Sequence, residues 1–495
     1  MNTSIVRYVL GTVLKMEAAL FLLPMLIAAI YQEKQGFAYV ITALLSLILG
    51  MIMTRRKPRN NVFYLKEGCV TTSLSWILMS LVGCLPFVIT GEIPSFVDAL
   101  FETISGFTTT GASILNDVEA LSHASLMWRS FTHWVGGMGV LVFVLAIVPL
   151  SGGSSINLMR AESPGPSVGK LVPKVRYTAR ILYGIYVGLT IIEFLFLLLG
   201  RMPLFDAITT TFGTAGTGGF SIKNDSMMSY SPYIQWVVAI FMIIFGINFN
   251  VYYLMLFHNF KKAFHVEELW YFLLIIAGSV GIICYNTHQM FANLAETLRH
   301  ATFQVASIIS STGFATVDFD LWSQTSRTLL VVLMLIGACA GSTGGGIKVS
   351  RIVIAVKTVI KELHSYIHPK SVRKVMFEGK PVDHDVVRSI NVFLVAYMLL
   401  IIASTLLISF EGYDFVTNFT AVVTTLSNIG PGLSKVGPTC NFSFFHPFTK
   451  LVLMFDMLAG RLELFPVLLL FHPALWKDTF SQRILHHDCA KKSLH

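Results

Sequence analysis

Four short segments of the sequence carry glycine among small or hydroxyl residues, a composition suited to binding a bare cation. Glycine adopts a positive φ without a Cβ clash, so successive carbonyl oxygens can point the same way. Rings of such oxygens replace the hydration shell of an alkali cation. We expect threonine hydroxyls to add oxygens at the inner end. The predicted ligands are Thr109, Thr110, Gly111, Gly216, Thr217, Gly218, Ser311, Thr312, Gly313, Asn428, Ile429 and Gly430.

Each glycine turn ends a segment that opens with a helical stretch too short to cross a membrane. The segments are Val97–Ser113, Leu204–Ser221, Leu298–Thr316 and Phe415–Gly432, each between two longer apolar stretches. About ten helix-compatible residues fall well short of the roughly 20 that a spanning helix needs. We therefore predict re-entrant half-helices whose partly negative C-terminal ends point to one axis. A helix cap would explain one such turn, but four turns at matching positions favour a ring.

The composition indicates a membrane protein. The chain is 54% hydrophobic and 13% charged, whereas about 25% is usual for the charged share. We predict an all-α polytopic fold with ten transmembrane helices, two at the N-terminus and eight in four pseudo-symmetric helix–pore-loop–helix repeats around one pore. No small-residue cleavage site precedes Tyr31–Gly36, so the first helix is expected to be retained. The predicted spans are 8–31, 37–54, 70–91, 128–150, 179–200, 233–257, 268–288, 325–360, 389–410 and 447–473.

These spans divide the chain into six parts. Residues 1–67 hold the two N-terminal helices, and 68–150, 151–257 and 258–360 hold the first three repeats. Residues 361–475 hold a cytoplasmic connector and the fourth repeat, and 476–495 form a cytoplasmic tail.

The charges are distributed by side of the membrane. We place the polar breaks between spans alternately inside and outside. The inside breaks then hold 24 Lys and Arg against 10 Asp and Glu, and the outside breaks hold 4 Lys and Arg against 12 Asp and Glu. This asymmetry places both termini in the cytoplasm of a multi-pass plasma-membrane protein. The net charge of +9 then reflects topology, with the lipid bilayer and not nucleic acid as partner. The six cysteines are scattered, so neither a metal site nor a disulfide framework is expected.

A glycine-rich run interrupts the last span of the third repeat. Each glycine costs a helix about 1 kcal/mol relative to alanine, so the span should unwind below the third turn. The predicted gate residues are Gly341, Ser342, Thr343, Gly344, Gly345, Gly346 and Lys348, together with Arg461 of the fourth repeat. The run is not a nucleotide-binding P-loop, because Ile347 separates the last glycine from the lysine. Close helix packing by small residues stays open as an alternative.

Three charged residues lie inside the last predicted span: Asp456, Arg461 and Glu463. They either pair with one another, or Arg461 faces the pore below the turns, where it bars cations or holds the glycine loop closed. We interpret His133 as a packing or interfacial residue. Asn248 and Asn250 are expected to cap unwound backbone.

The turns and the run Gly341–Lys348 together resemble the Trk/Ktr/HKT superfamily of potassium transporters. The two extra N-terminal spans resemble its bacterial Trk membrane-subunit branch (TrkH/TrkG type). This resemblance implies potassium uptake across the bacterial inner membrane by a homodimer with one pore per protomer. It implies a cytoplasmic TrkA-type nucleotide-binding subunit that gates the loop. It also implies a potassium ion bound in the filter, no organic cofactor in this chain, and a potassium preference associated with Gly111.

Two other classes of function remain to be compared with a potassium pore. A proton- or sodium-coupled symporter with alternating access suits broken helices, and Asp456 and Glu463 are its proton candidates. An intramembrane enzyme would need a nucleophile–base pair or a metal cluster at one depth. The sequence offers neither, so we expect no enzyme. The basic stretch from Arg351 to Lys380 is either a topology signal or a docking surface for a cytosolic regulator.

Overall fold

The computed structural model describes residues 1–58, 64–139, 175–371 and 373–475, and these are mostly helical. The helices, numbered in order among the described residues, are α1 (Thr3–Leu20), α2 (Leu22–Ile30), α3 (Gly36–Thr54), α4 (Leu65–Gly83), α5 (Leu85–Thr90), α6 (Phe96–Phe107), α7 (His123–Gly137), α8 (Val175–Leu199), α9 (Leu204–Gly216), α10 (Pro232–Gly246), α11 (Phe249–Leu256), α12 (Phe260–Phe264), α13 (Glu267–Thr287), α14 (Leu294–Ile309), α15 (Gln324–Ile336), α16 (Val349–Ile367), α17 (His384–Ser409), α18 (Phe415–Leu426), α19 (Pro447–Arg461) and α20 (Phe465–Leu470). Short 3-10 turns cover Phe319–Leu321 and Ser434–Val436, and β1 (Met376–Phe377) pairs antiparallel with β2 (Lys380–Pro381).

The N-terminal helices pack closely before the first repeat begins. Thr3–Ile30 and Gly36–Thr54 are both long and apolar enough to cross a membrane. Small residues bring α1 and α3 together, and a β-carbon at Gly50 would lie only 2.8 Å from the carbonyl oxygen of Gly11. Ser46 of α3 also donates a hydrogen bond of 2.8 Å to the carbonyl of Leu14. These spans match the first two predicted helices.

Four later spans are also long and apolar, and the first of them consists of α4 and α5. Leu65–Thr90, Ala179–Leu199, Glu267–Thr287 and His384–Ser409 meet the length and hydropathy of a membrane crossing. Among the described residues this makes six such spans, or seven if α10 and α11, which meet at 89°, count as one. The chain is therefore a multi-pass membrane protein.

The remaining predicted crossings are shorter or interrupted in the structure. The span predicted for 325–360 is divided into α15 and α16, and the one predicted for 447–473 is divided into α19 and α20. Of the span predicted for 128–150, α7 ends at Gly137 and residues 140–150 lie outside the described residues. The count of ten remains a prediction.

The outer surfaces of the spans carry exposed apolar side chains, as expected for helices surrounded by lipid. Ile48 in α3, Leu195 in α8, Leu274 in α13 and Leu406 in α17 are each at least half exposed. Water would penalise such a surface, since large exposed apolar patches are rare on soluble monomers.

The four half-helices α6, α9, α14 and α18 lie inside the bundle and are 12 to 16 residues long. Polar caps fix where three of them begin: Ser95 accepts from the Asp98 amide, Asn293 from the Glu296 amide and Asp414 from the Thr417 amide. A side-chain oxygen at this position satisfies a backbone donor that the helix leaves free. From these starts the half-helices run inward to the glycine turns.

Candidate functional site: four glycine turns and a glycine loop

The four turns share one backbone conformation. In each, a residue with positive φ is followed by one residue and then by a glycine with positive φ. The first positions are Thr109 (55°), Thr217 (54°), Ser311 (58°) and Asn428 (55°), and the glycines are Gly111 (76°), Gly219 (77°), Gly313 (88°) and Gly430 (103°). The middle residue of each turn donates its amide to a carbonyl five residues back at 2.8–2.9 Å. One local geometry is therefore repeated four times.

The structure corrects the predicted register of the second turn by one residue. Gly216 is the last residue of α9, and Thr217 takes the left-handed conformation that Thr109 takes in the first turn. Gly219, and not Gly218, is thus the counterpart of Gly111. The sequence Gly216-Thr217-Gly218-Gly219 holds several glycines, so composition alone does not decide which one bends the chain.

The turns meet in cyclic order. A β-carbon placed on Gly111 would lie 1.9 Å from the carbonyl oxygen of Gly218, and one on Gly219 would lie 2.0 Å from that of Thr312. The same construction places Gly313 beside the oxygen of Ile429 at 2.0 Å and Gly430 beside that of Thr110 at 2.8 Å. Each middle carbonyl therefore lies against the glycine of the preceding turn. We call this arrangement of four turns the carbonyl ring.

Hydroxyl side chains occupy the middle position in only two of the four turns. At the middle position the first and third turns carry Thr110 and Thr312, whose hydroxyls bond to Thr108 (2.8 Å) and Ser310 (2.7 Å). The second and fourth turns carry Gly218 and Ile429 there. Asn428 of the fourth turn reaches the neighbouring first turn, where its amide donates to the Thr110 hydroxyl at 3.0 Å.

His133 of α7 supports the ring from behind. Its Nε2 accepts the Phe220 amide at 3.2 Å, so its Nδ1 carries the proton and donates to the carbonyl of Gly106 at 2.7 Å. The neutral imidazole joins the first half-helix to the second turn. The described residues contain no group of three or more potential metal-binding His, Cys, Asp or Glu side chains.

The predicted break in the third repeat is present and lies beside the turns. Residues 337–348 connect α15 to α16 without helix. Within this glycine loop, the Gly345 amide donates to the Ser311 hydroxyl at 2.5 Å. A β-carbon at Gly345 would lie 2.2 Å from the carbonyl oxygen of Ser427, and one at Gly344 would lie 2.7 Å from that of Ser310. The loop therefore packs directly against the ends of the third and fourth half-helices.

Two cationic side chains hold this loop. Lys348 donates to the carbonyl of Gly344 within the loop. Arg461, at the end of α19, donates to the carbonyl of Thr343 at 2.9 Å and to that of Gly137 at 2.7 Å. Arg461 thus joins the glycine loop to the end of α7 in the first repeat.

The other two charged residues of the last span have separate partners. Glu463 forms an ion pair with Arg351 at the start of α16. Asp456 accepts a hydrogen bond of 2.8 Å from the Ser404 hydroxyl. Glu463 and Leu464 both have positive φ where α19 gives way to α20, and such non-glycine outliers need support from their surroundings.

Glu268, which the sequence analysis did not single out, fixes both ends of the glycine loop. One oxygen of its buried carboxylate accepts from the Ala340 amide at 2.7 Å and from the Ser350 amide at 3.0 Å. The only signal in the sequence is a second carboxylate, beside Glu267, at the start of an apolar helix. As predicted, Asn248 caps unwound backbone: its side chain accepts from the Asn250 amide at 2.9 Å at the break between α10 and α11.

Comparison with known proteins places these features in context. Residues 35–483 match the TrkH family, described as cation transport proteins. The Trk system potassium uptake protein TrkH of Salmonella typhimurium is 35% identical, with 97% of this chain and 100% of the relative covered. TrkG of Escherichia coli K12, another Trk system potassium uptake protein, is 32% identical over 97% of this chain and its own full length. The crystal structure of the potassium transporter TrkH from Vibrio parahaemolyticus superposes with a TM-score of 0.87 at 30% identity, covering 96% of this chain and 100% of that one.

Proposed function

Because this chain belongs to the TrkH family of cation transport proteins, we propose that it takes up potassium through the carbonyl ring. The observation that carries the proposal is the cyclic contact of four turns with one backbone geometry. Four middle carbonyls brought together in this way offer oxygen ligands to a dehydrated alkali cation. The potassium ion is substrate and transient ligand, and the chain itself is a transporter.

We propose that the glycine loop is the gate of this pore. Its contacts with Ser311, Ser310 and Ser427 place it against the ring, where it obstructs the path of an ion leaving the turns. Backbone without regular structure is tolerated at membrane depth where it is buried in protein or lines a wet cavity. Arg461 and Lys348 hold the loop in place through its carbonyls.

The proposal extends to the assembly. The apolar stretches predict ten spans, two at the N-terminus and eight in four repeats, and the charge pattern predicts both termini in the cytoplasm. The resemblance implies a homodimer and gating by a cytoplasmic TrkA-type nucleotide-binding subunit. The relatives are named as components of a Trk system, which supports a regulatory partner. The bacterial inner membrane is the proposed location.

Growth rescue tests the filter. A cell deficient in potassium uptake should grow at low potassium with the wild-type chain. Gly313→Ser should lose potassium selectivity, because its β-carbon would lie 2.0 Å from the carbonyl oxygen of Ile429. Sodium inhibition of growth and of rubidium uptake measures the change. An unchanged preference in Gly313→Ser would remove the third turn from the filter.

A proton- or sodium-coupled symporter is the second candidate, and buried carboxyls favour it. Asp456 is fully buried, and its Oδ2 has no hydrogen-bond partner in the described part of the chain. Glu17 and Glu193 are likewise buried in helices with both oxygens unpartnered there. Currents that reverse at the potassium potential at every pH would exclude obligatory coupling. A reversal potential that moves with the proton gradient would support it.

A further inference from the structure

A buried ion pair joins the first two turns of the carbonyl ring. Arg129 of α7 lies 2.8 Å from Glu102 of α6, with side chains 2% and 0% exposed. The Arg129 Nε donates to the same carboxylate at 2.8 Å. Removing two charges from water is costly, and apolar replacements of a buried pair are often as stable. The stability of the fold is therefore a weak explanation for this pair.

The two side chains bind equivalent residues of two consecutive turns. Glu102 accepts from the Ser113 hydroxyl at 2.9 Å and from the Ile114 amide at 3.0 Å. Arg129 donates to the carbonyl of Ser221 at 3.1 Å and lies 4.1 Å above the centre of the Phe220 ring. Ser113 and Ser221 each follow their ring glycine by two positions. The pair thus ties the exit of the first turn to the exit of the second.

Between two other pairs of neighbouring turns, the corresponding carbonyl accepts from a backbone amide. Met227 of the second repeat donates its amide to the carbonyl of Ala315 at 2.9 Å, and Phe442 of the fourth donates to that of Ser113 at 2.8 Å. Ala315 also follows its ring glycine by two positions. At Ser221 the donor is instead a flexible side chain. Such a donor holds a fixed place only when another group orients it, and Glu102 does so.

The other repeats pack without charge at these two places. Counted back from the ring glycines, the counterparts of Glu102 are Thr210, Gln304 and Ala421; counted from the helix starts, those of Arg129 are Val238, Leu330 and Leu453. All six are buried. In these three repeats, the half-helix and the helix that follows its turn therefore pack together with uncharged residues at both positions.

We propose that Arg129 is a positioning residue, held by Glu102, that sets the ring's preference for potassium over sodium by fixing the second turn. This inference depends on the proposed function of the carbonyl ring. Selectivity depends on where the carbonyl oxygens lie and how freely they move. If Ser221 is released, the second turn can approach a smaller ion.

The test is a double variant that copies the third repeat. Glu102→Gln with Arg129→Leu reproduces the Gln304 and Leu330 combination and leaves no unpaired buried charge, unlike either single change. We expect wild-type expression and thermal midpoint in detergent. In proteoliposome fluxes we expect the rubidium-to-sodium preference to fall about tenfold, the size expected for losing one hydrogen bond to a charged group.

A matched control removes an ion pair away from the ring. Arg327 and Asp320 form such a pair at 2.8 Å with partly exposed side chains, and Arg327→Leu with Asp320→Asn should leave the preference unchanged. If the first double variant folds and keeps wild-type preference while Gly313→Ser loses it, the role of Arg129 is overturned and the ring survives. If the double variant does not fold, Arg129→Lys is the deciding variant, because it keeps the positive charge. Loss of the rubidium-to-sodium preference in Arg129→Lys would support the positioning role, and a wild-type preference would overturn it.

Discussion

Arg461 donates a hydrogen bond of 2.9 Å to the carbonyl oxygen of Thr343 and so connects the fourth repeat to the glycine loop of the third. The same guanidinium reaches Gly137 of the first repeat. One side chain of the predicted fourth repeat therefore contacts two other predicted repeats beside the proposed gate. Any movement of the loop away from the ring must break at least one of these bonds.

Substitutions of Arg461 test whether this residue acts as a latch, holding the loop by hydrogen bonds, or as an electrostatic barrier, repelling cations by its charge. Arg461→Ala should raise basal rubidium flux about tenfold, since a hydrogen bond to a charged group contributes about 1.5–3 kcal/mol. Arg461→Lys keeps the charge but loses the forked geometry. We expect intermediate flux in proteoliposomes if Arg461 is a latch. Wild-type flux in Arg461→Lys would instead assign the effect to charge alone.

Alanine substitutions along the second turn test its corrected register. Gly219→Ala should reduce selectivity, because the new β-carbon would lie 2.0 Å from the carbonyl oxygen of Thr312 in the ring. Gly218→Ala should mainly lower the thermal midpoint, because its β-carbon would meet the His133 ring at 2.2 Å. Gly430→Ala, with a nearest oxygen at 2.8 Å, should be the mildest ring substitution. Paired measurements of sodium inhibition and thermal midpoint distinguish the three; equal selectivity losses at Gly218 and Gly219 would contradict the register.

The carboxylate of Glu268 should restrict movement of the glycine loop, because it binds backbone amides at both ends of the loop. Glu268→Ala frees the Ala340 and Ser350 amides and should raise basal flux by loosening both ends. Glu268→Gln should stay near wild type, since its amide oxygen can accept the same two bonds. The control is Glu267→Ala, which removes the neighbouring partner of Lys357 and leaves the loop's anchors intact. Equal flux in Glu267→Ala and Glu268→Ala would argue against an anchor.

Asp414, which caps α18 between two membrane helices, should make stability depend on acid. Hydrogen bonding from the Thr417 side chain is the main cause that lowers the pKa of Asp414 in the folded state. A depressed pKa stabilises the fold above the unfolded-state value, and this stability is lost as pH falls through the folded-state value. Asp414→Asn keeps a capping oxygen but does not titrate. Its thermal midpoint should fall less than that of wild type on acidification; parallel curves would contradict this.

Much of the site could be predicted because its signals are local. Glycine follows threonine in three segments and isoleucine in the fourth, and this repetition predicts four bends. Three glycines in a row predict an interrupted helix. The second register was wrong because neighbouring glycines are equally able to take a positive φ. In the structure, the positive φ of Gly219 and the contacts with Thr312 and His133 distinguish Gly219 from Gly218.

The contacts between repeats were beyond sequence reasoning. Nothing in the local pattern around Glu268 indicates that its partners are the Ala340 and Ser350 amides far along the chain. Likewise, Arg129 and Glu102 lie in separate helices, and their pairing depends on how α6 and α7 pack. Asp456, Arg461 and Glu463 were recognised as a group, yet Glu463 forms its ion pair with Arg351. Charged side chains choose partners by three-dimensional proximity, which periodicity does not reveal.

The middle position of the ring holds threonine in the first and third turns but glycine and isoleucine in the second and fourth. In an assembly of four identical chains, one codon change would alter all four walls at once. Here each turn has its own codon, so a mutation changes one of the four turns and leaves the other three unaltered. The hydroxyls of Thr110 and Thr312 accordingly belong to opposite turns of the ring, which gives the side chains of the middle position twofold rather than fourfold symmetry.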